Sequence, residues 1–506
     1  MFQAILAIIP ILWLILSLAV FRMRGDLACF IGLIITLLTS IIGFHFSIKD
    51  GLTAGLEGAM MGFWPIIYII VAAVFTYNLT TASGGMTVIK RLLMTITEDK
   101  RILVLILAWG FGGFLEAIAG FGTAVAIPAS ILVALGMKPL RAALICLIAN
   151  TTPTAFGAIG LPVTTLAQVT GLEVKQLSVI VSLQLFILIV AIPFVLVSLT
   201  GEGKRPIKGV FGITLASGLA FALPQILVSN YLGAELPSII GSLFCILVTI
   251  LFVNLRERGK NASPVGGDVA FKEGIMACLP FILVFLFIML TSSLFPAINQ
   301  LLAKVSTTVS IYTGEHAKPY TIKWLISPGT MIILATFMAG LIQGMSFKEI
   351  GSILGKSIKQ LTKTMVTVAS IVALSKVMSY SGMINTIAVS LVAVTGGFYP
   401  FIAPVIGTLG TFITGSDTSA NVLFGELQVK AANNLNMNPY WMAAANMTGA
   451  TAGKMISPQS IAVAAVAIGL EGQEGSLLKE VIKYCAFYML LTCLVVFAIG
   501  KALGYL

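Results

Sequence analysis

The chain alternates between long apolar runs and short polar segments. The clearest apolar runs cover residues 4–21, 27–44, 61–77, 102–119, 177–199, 236–253, 274–295, 325–342 and 484–500. A helix that spans a bilayer needs roughly 20 mostly apolar residues, and these runs approach or reach that length. The pattern therefore predicts an all-α polytopic membrane protein, with about 12–14 transmembrane helices once the interrupted segments are counted.

Composition and charge agree with this prediction. The mean hydropathy of the 506 residues is +1.05, and 10% of them are charged, against about 25% in soluble domains. The net charge of +11 would suggest a nucleic-acid partner in a soluble protein. In a membrane protein the excess of Lys and Arg belongs in cytoplasmic loops, so we expect the lipid bilayer and no nucleic acid as a partner. Placing the basic clusters inside predicts an outer loop at 296–323.

The sequence offers little for catalysis or metal binding. Its six cysteines all lie in apolar segments, and its two histidines cannot form a His-rich site, so we expect no disulfide framework, no metal and no cofactor. It contains no G-x-S-x-G, H-E-x-x-H or complete P-loop motif. We therefore expect a protein that is not an enzyme, and no ATP-driven pump within this chain.

Two apolar segments are broken in the middle by glycine and polar residues. The segment 102–136 contains Glu116, Gly120 and Gly122, and the segment 399–430 contains the run from Gly415 to Ser419. Irregular backbone at membrane depth is tolerated only where protein or a water-filled cavity covers it. Both segments are therefore predicted to be broken or re-entrant hairpin elements.

The two halves of the chain share a pattern. "ANTTPTAFGAIGLP" begins at Ala149, and "ANMTGATAGKMISP" begins at Ala445, with A-N-x-T, Gly and Pro at identical spacing. A broken element, M-x-P, A-N-x-T and G-L-E follow in the same order in both halves. The charge pattern starts the first copy inside and the second outside. This predicts two inverted repeats, each with a hairpin element, as in many secondary transporters whose binding site lies near the membrane midplane.

The polar residues of these segments would suit a small organic anion, which needs backbone N–H donors, hydroxyls and a cation. An alternative is that Asn and Thr join helices through interhelical hydrogen bonds. The candidate substrate-binding residues are Gly120, Gly122, Thr123, Asn150, Thr151, Thr152, Ser416, Thr418, Ser419, Asn446, Thr448, Lys454, Ser457 and Gln459.

Charged residues inside apolar segments usually mark function. Asp417 and Glu116 are candidate proton carriers, with Asp417 the first choice, and Lys454 would neutralise a carboxylate substrate. Two structural alternatives stay open. Lys454 could reach the membrane interface through its flexible side chain, or it could form a salt bridge with Asp417 or Glu116.

Four motifs carry a family resemblance: "GFGTAVAIPASILVALG", "LIANTTPTAFGAIGLPV", "GSDTSANVLFGELQ" and "ANMTGATAGKMISPQSIAVA". They closely resemble the bacterial L-lactate permease family, which includes glycolate permeases, and the resemblance covers nearly the whole chain. It implies a multi-pass symporter of the bacterial cytoplasmic membrane that takes up lactate, glycolate or related 2-hydroxymonocarboxylates with protons.

The family's grouping with the ion transporter superfamily implies an elevator-like motion. The expected scaffold comprises residues 1–80 and 207–345. The expected transport domain comprises 101–199, with the broken element 102–136, and 361–506, with the broken element 399–430. A homodimer stays an open expectation. Sodium coupling of a carboxylate transporter and a passive anion channel also stay open, as does the choice between L-lactate, D-lactate and glycolate.

Overall fold

The computed structural model describes residues 2–21, 23–94, 97, 99–118, 120, 122–201, 206–257, 270–292, 295–314, 317, 319–470 and 474–506. The first half of the chain contains the helices α1 (Phe2–Ile15), α2 (Gly25–Phe44), α3 (Ile48–Met61), α4 (Tyr68–Ala82), α5 (Gly85–Met94), α6 (Lys100–Val104), α7 (Gly112–Ile118), α8 (Thr123–Ala134), α9 (Pro139–Ala149), α10 (Gly157–Thr170), α11 (Val174–Leu199) and α12 (Phe211–Leu232).

The second half contains α13 (Pro237–Glu257), α14 (Phe271–Thr291), α15 (Pro296–Ala303), α16 (Pro328–Ile342), α17 (Phe347–Gln360), α18 (Thr362–Tyr380), α19 (Met383–Thr395), α20 (Tyr399–Thr414), α21 (Asp417–Asn434), α22 (Pro439–Ile456), α23 (Pro458–Ala467) and α24 (Glu474–Ala502). Strands β1 (Ser306–Val309) and β2 (Tyr320–Lys323) pair antiparallel between α15 and α16. π-Helical turns occupy Leu16–Val20, Gly62–Ile67 and Leu105–Phe111, and 3₁₀ turns occupy Thr152–Phe156 and Gly396–Phe398.

The predicted helical membrane fold is confirmed. Among the described residues, nine helices are long and apolar enough to cross a membrane, or up to 11 if each of two bent pairs forms one span. The bent pairs are α9 with Thr152–Thr170, at 46°, and α17 with α18, at 53°. The predicted 12–14 helices exceed this number because several further apolar helices, such as α8 and α16, are only 10–17 residues long.

Each broken segment consists of two helices separated by a short break that contains glycine. In the first hairpin (residues 100–134), α7 ends at Ile118 and α8 begins after Gly122, whose φ is +85°. In the second hairpin (residues 399–434), Gly415 ends α20 with a φ of +73°. A left-handed conformation of this kind favours glycine, which has no Cβ. Helix breaks therefore lie within both predicted segments, whereas the re-entrant course of the two elements stays a prediction.

The arms of each hairpin pack closely against each other. A Cβ atom on Gly112 would lie 3.3 Å from the carbonyl oxygen of Ala124, and one on Gly410 would lie 2.8 Å from the Cβ of Ala420. The first arm of the first hairpin lies deep within the protein, because 89% of its most apolar 18-residue stretch, within Lys100–Ile118, is buried. Gly120, at the tip, is buried as well, so protein and not lipid covers the backbone at this residue.

Helix α22 forms the centre of the second half. Its residues from Trp441 to Gly453 are all buried, and it crosses α20 at backbone contact distance. A Cβ atom on Gly449 would lie 1.9 Å from the carbonyl oxygen of Pro404, and one on Gly407 would lie 2.1 Å from that of Asn446. Small residues allow two membrane helices to approach this closely, so these glycines fix the second hairpin to α22.

The two copies of the repeated pattern share helix boundaries. Pro139 and Pro439 each occupy the first turn of a helix, and Gly171 and Gly469 each have a positive φ at a helix end. They differ in the middle. The first copy breaks into the 3₁₀ turn Thr152–Phe156, whereas α22 continues as α-helix to Ile456. The inverted orientation of the two copies stays a prediction.

Candidate functional site

The polar segments meet at a cavity of about 340 Å³ between the two hairpin tips, a size within the usual range of small-molecule sites. The starts of α2, α10 and α18 and Lys454 of α22 complete its wall. The sequence-predicted residues that line it are Glu116, Gly120, Ser416, Asp417, Thr418, Ser419, Lys454 and Gln459.

The tip of the second hairpin presents a helix N-terminus to this cavity. Ser416 is the N-cap of α21, and its hydroxyl accepts a hydrogen bond from the backbone N–H of Ser419 at 3.3 Å. The first N–H groups of a helix have no partner within the helix and carry partial positive charge. Because Asp417, Thr418 and Ser419 form this first turn and line the cavity, the turn can bind an anion through backbone donors.

Lys454 adds a positive charge at the same place. Its ammonium donates a hydrogen bond of 2.9 Å to the carbonyl oxygen of Gly415, at the end of α20. In the described part of the chain, no carboxyl oxygen lies within 4.0 Å of this ammonium. The salt bridge with Asp417 or Glu116, considered as an alternative from the sequence, is therefore not formed here, and the ammonium has donors left for a ligand.

The two acidic residues are almost completely buried, with Glu116 5% and Asp417 4% exposed. The Asp417 carboxyl lies beside Thr154 and Thr411, and neither of its oxygens accepts a well-formed hydrogen bond from the described residues. Glu116 lies beside Asn150, and its Oε2 atom likewise accepts no hydrogen bond from the described residues. A buried carboxyl group without donors is costly in its charged form, so both carboxyls stand out from the ion-paired carboxylates elsewhere in the described residues.

The start of α10 forms an unusual part of the wall. Ala158, Ile159 and Gly160 have φ values of +42°, +60° and +72°, a left-handed run that only glycine adopts readily. Gly157 packs against Glu116, because a Cβ atom there would lie 2.9 Å from the Glu116 Oε1. The sequence analysis did not single out Ala158 or Ile159, and only the neighbouring glycines indicate a turn here.

Several predicted site residues lie outside the cavity wall. Thr123 donates to the carbonyl oxygen of Gly120 at 2.8 Å, and Thr151 donates to that of Ile148 at 2.8 Å. Gly122 packs against α23, where Val463 would lie 3.0 Å from an added Cβ. These groups shape the hairpin tip and the chain break. The others outside the wall are Asn150, Thr152, Asn446, Thr448 and Ser457, of which Ser457 caps α23.

Asn446 and Thr448 belong to a buried polar network between helices. The Asn446 amide donates to the Asn421 side-chain oxygen at 2.9 Å and accepts from the Gln428 amide at 3.2 Å. Thr448 donates to the Gln184 side-chain oxygen at 2.8 Å. Such bonds connect α22 to α21 and α11, as expected for polar side chains within a membrane protein.

Three charged residues that were not predicted to belong to the site also reach the cavity. Arg24, Asp26 and Lys363 line its wall. Arg24 and Asp26 form an ion pair of 2.6 Å, with the Arg24 side chain 66% exposed. Arg24 and Lys363 are recognisable in the sequence as basic residues next to apolar runs. The sequence does not show that the starts of α2 and α18 converge at one cavity. Among the described residues, no group of three His, Cys, Asp or Glu side chains is placed to hold a metal ion.

Comparison with known proteins gives matches along the whole chain. A family model described as L-lactate permease matches residues 3–503. The L-lactate permease of Streptococcus iniae is 98% identical over 444 residues, which cover 88% of this chain and 94% of that protein. The L-lactate permease of Bacillus subtilis is 36% identical, covering 98% of this chain and 95% of the relative. The glycolate permease GlcA of Escherichia coli is 36% identical, covering 96% and 93%.

Among solved structures, MtrF of Neisseria gonorrhoeae, described with a class of antimetabolite efflux pumps, aligns with a TM-score of 0.51 at 15% identity. The alignment covers 94% of each chain. At this identity the likeness concerns the fold alone. The sequence matches confirm the resemblance drawn from the four motifs, and they indicate a multi-pass membrane transporter and not an enzyme.

Proposed function

The chain belongs to the L-lactate permease family, and from this premise we propose that it takes up L-lactate across the bacterial cytoplasmic membrane. Glycolate and D-lactate are further substrates in this proposal, because all three are small 2-hydroxymonocarboxylates. The observation that carries the proposal is the cavity between the hairpin tips, where Lys454 and the N-terminus of α21 meet two buried acidic residues.

In the proposed complex, the substrate carboxylate binds at the first turn of α21. The backbone N–H groups there and the Lys454 ammonium supply positive charge, and Thr418 and Ser419 supply hydroxyls. The substrate 2-hydroxyl then faces Gln459 and the Gly120 turn, on the other side of the cavity. A pocket with paired donors on both sides selects a 2-hydroxy acid over an acid without that hydroxyl, since the unmatched polar groups would be left buried.

Proton coupling is assigned first to Asp417 and then to Glu116. Both carboxyls lie in the cavity wall with few hydrogen-bond donors, so a bound proton offsets the energetic penalty of their burial. Loading the site with one anion and one proton adds no net charge, which makes its passage through the membrane interior less costly. Sodium coupling is the second candidate, because the hydroxyls of Ser416 and Thr418 and the backbone oxygens of the tip are suitable sodium ligands.

The proposed movement is of the elevator type. The transport domain would contain both hairpins with α22, which is fixed to the second hairpin by Gly407 and Gly449. The scaffold would contain residues 1–80 and 207–345. Helix α18 belongs with this scaffold in our proposal, although the sequence analysis assigned 361–506 to the transport domain. A Cβ atom on Gly58 of α3 would lie 2.5 Å from the Cα atom of Ala373.

The test is uptake of radiolabelled L-lactate into proteoliposomes containing the purified protein. An inward proton gradient and an inward Na⁺ gradient are imposed separately, with empty liposomes to measure permeation of lactic acid through lipid. We expect saturable, proton-driven accumulation that excess glycolate or D-lactate inhibits and excess acetate inhibits far less. Accumulation that requires the Na⁺ gradient would show that sodium, and not the proton, is the coupling ion. Equilibration under either gradient would indicate a passive channel, and no saturable lactate flux would refute the proposed substrate.

A further inference from the structure

A second and larger cavity, of about 610 Å³, lies on the other side of the α10 turn. The ends of α12 and α14, the start of α16 and the strand β2 contribute to its wall. Polar and charged side chains line it, among them Gln168, Glu235, Asn299, Tyr320 and Lys323. It is therefore a polar-lined space, and none of the candidate substrate-binding residues lines it.

The distribution of basic residues assigns the two cavities to opposite membrane faces. Helices α12 and α14 begin beside Lys208 and Lys272, and both end at the second cavity. A helix of 21 or 22 residues rises about 32 Å, the thickness of the hydrocarbon core. The first cavity instead lies beside Arg24 and Lys363. Lys175 and Lys323 also line the second cavity, but as single lysines beside Glu173 and Glu235. Clusters of basic residues mark the cytoplasmic side, and these adjoin the starts of α2, α12 and α18. They assign the first cavity to the cytoplasmic face and the second to the outer face.

Adjacent residues of the same helices line the two cavities and separate them. Ala158 lines the first cavity and the next residue, Ile159, lines the second. In the same way Ile70 of α4 lines the first cavity and Ile69 lines the second. Helices α4 and α10 are in contact, and all four side chains belong to one buried apolar cluster. We call Ile69, Ile70, Ala158 and Ile159 the partition.

The backbone of the partition is held in one conformation. Ala158 and Ile159 have left-handed φ values, which are strained for residues with a Cβ atom. Strain of this kind persists where the surroundings fix the backbone, and it is concentrated at functional sites. Gly160 supplies that constraint, because an added Cβ atom would lie 2.1 Å from the carbonyl oxygen of Ala234. The left-handed turn directs successive side chains into opposite cavities.

We propose that Ile159 is the gating residue of this transporter, and that with Ile69 it seals the outer cavity, the entry vestibule for small carboxylates, from the substrate site. Ile159 belongs to α10, in the proposed transport domain, and Ile69 belongs to α4, in the proposed scaffold. Relative movement of the two elements would open the seal, so the coupled cycle depends on the apolar contact between them. The role in transport rests on the function proposed above, whereas the placement of the two cavities does not.

The placement is tested by labelling. Ile159→Cys and Ala158→Cys are each expressed in cells and treated with a membrane-impermeant maleimide, on intact cells and on inside-out vesicles. The unmodified protein gives the background of the native cysteines. We expect Ile159→Cys to be labelled on intact cells and Ala158→Cys to be labelled on inside-out vesicles. Labelling of both from one face, the reverse pattern, or no labelling above background would overturn the partition, whatever the protein transports.

The gating role is tested by Ile159→Ala, with Ile187→Ala as the matched control, since Ile187 is 41% exposed on the surface of α11. The smaller side chain opens the seal and joins the two cavities. We expect Ile159→Ala to keep rapid downhill L-lactate flux while its proton-driven accumulation ratio falls toward 1. The Ile187→Ala protein should accumulate lactate as the unmodified protein does. Full accumulation by a correctly folded Ile159→Ala protein would refute the gating role, even if lactate is the substrate.

Discussion

The ammonium of Lys454 lies 2.9 Å from the carbonyl oxygen of Gly415 and donates a hydrogen bond to it. Gly415 is the residue at which α20 ends, and α21 begins two residues later. The negative end of one helix dipole and the positive end of the next therefore meet beside a single cation. This contact ties α22 to the tip of the second hairpin, and it places a charged donor in the cavity wall without a carboxylate partner.

Replacing Lys454 by Met should weaken substrate binding. A hydrogen bond from a charged group contributes about 1.5–3 kcal/mol, so we expect the KM for L-lactate exchange to rise roughly 10- to 100-fold. Lys454→Arg keeps the charge and should show a smaller rise. The control is Lys501→Met, at an exposed position in the last turn of α24. An unchanged KM in Lys454→Met would remove this residue from the substrate site.

Replacing Gly449 by Ala should prevent correct folding. The added Cβ atom would lie 1.9 Å from the carbonyl oxygen of Pro404, a contact that only separation of α20 and α22 can relieve. Overpacking usually costs about 1–3 kcal/mol, and a clash with backbone exceeds that range. We expect low yield of monodisperse protein and a lowered Tm. Gly475→Ala is the matched control, because nothing lies within 4 Å of its added Cβ atom. Equal Tm values would contradict the close helix crossing.

Replacing Asn446 by Ala should reduce stability and leave substrate affinity nearly unchanged. The substitution leaves the Asn421 side-chain oxygen without its donor and removes one of the two hydrogen bonds of the Gln428 amide, which still donates to the Ala403 carbonyl oxygen. An unsatisfied buried group of this kind costs about 1–3 kcal/mol. We expect a lower Tm in thermal unfolding and an unchanged KM for lactate exchange. Asn434→Ala, at the exposed end of α21, is the control. A large rise in KM with unchanged Tm would instead place Asn446 in the substrate site.

Replacing Glu57 by Gln should destabilise the proposed scaffold. Its carboxyl is 3% exposed, accepts a hydrogen bond from the Tyr380 hydroxyl at 2.7 Å and lies 3.6 Å from the Lys376 ammonium. Breaking a buried ion pair from one side costs about 3–5 kcal/mol, which a lowered Tm would report. Adding Lys376→Met should recover part of the loss. The control is Glu480→Gln, because Glu480 forms an exposed ion pair with Lys483. Equal changes in Tm for Glu57→Gln and Glu480→Gln would contradict this account.

The hydropathy pattern predicted most of the fold, because apolar runs and glycine breaks are local properties. The difference between the two repeated copies also has a local cause. Pro153 follows Thr152 in the first copy, and the matching position in the second copy is Gly449. Proline lacks the N–H that continues an α-helix, so the first copy turns into a 3₁₀ segment while α22 continues. The identical spacing of A-N-x-T, Gly and Pro in the two copies did not indicate this difference.

The candidate site was only partly predictable. The glycine-rich tips and the polar residues next to them, such as Ser416 and Gln459, follow from sequence and do line the cavity. The partners of buried polar groups do not follow from sequence, because Gln184 contacts Thr448 across 264 positions. The same holds for Arg24 and Lys363, which reach the cavity from two helix ends far apart in the chain. Tertiary packing decides which polar residues face the substrate.

The most direct measurement of the central claim is proton movement evoked by L-lactate. Proteoliposomes enclosing a pH-sensitive dye, with equal pH on both sides, receive external L-lactate, and the initial rate of luminal acidification is recorded. Empty liposomes provide the rate for lactic acid crossing lipid. The account predicts saturable acidification by the unmodified protein. It predicts acidification at the empty-liposome rate for Asp417→Asn, which should still exchange labelled lactate. Acidification by Asp417→Asn at the unmodified rate would contradict the assignment of coupling to Asp417, and lactate entry without acidification by the unmodified protein would contradict proton symport.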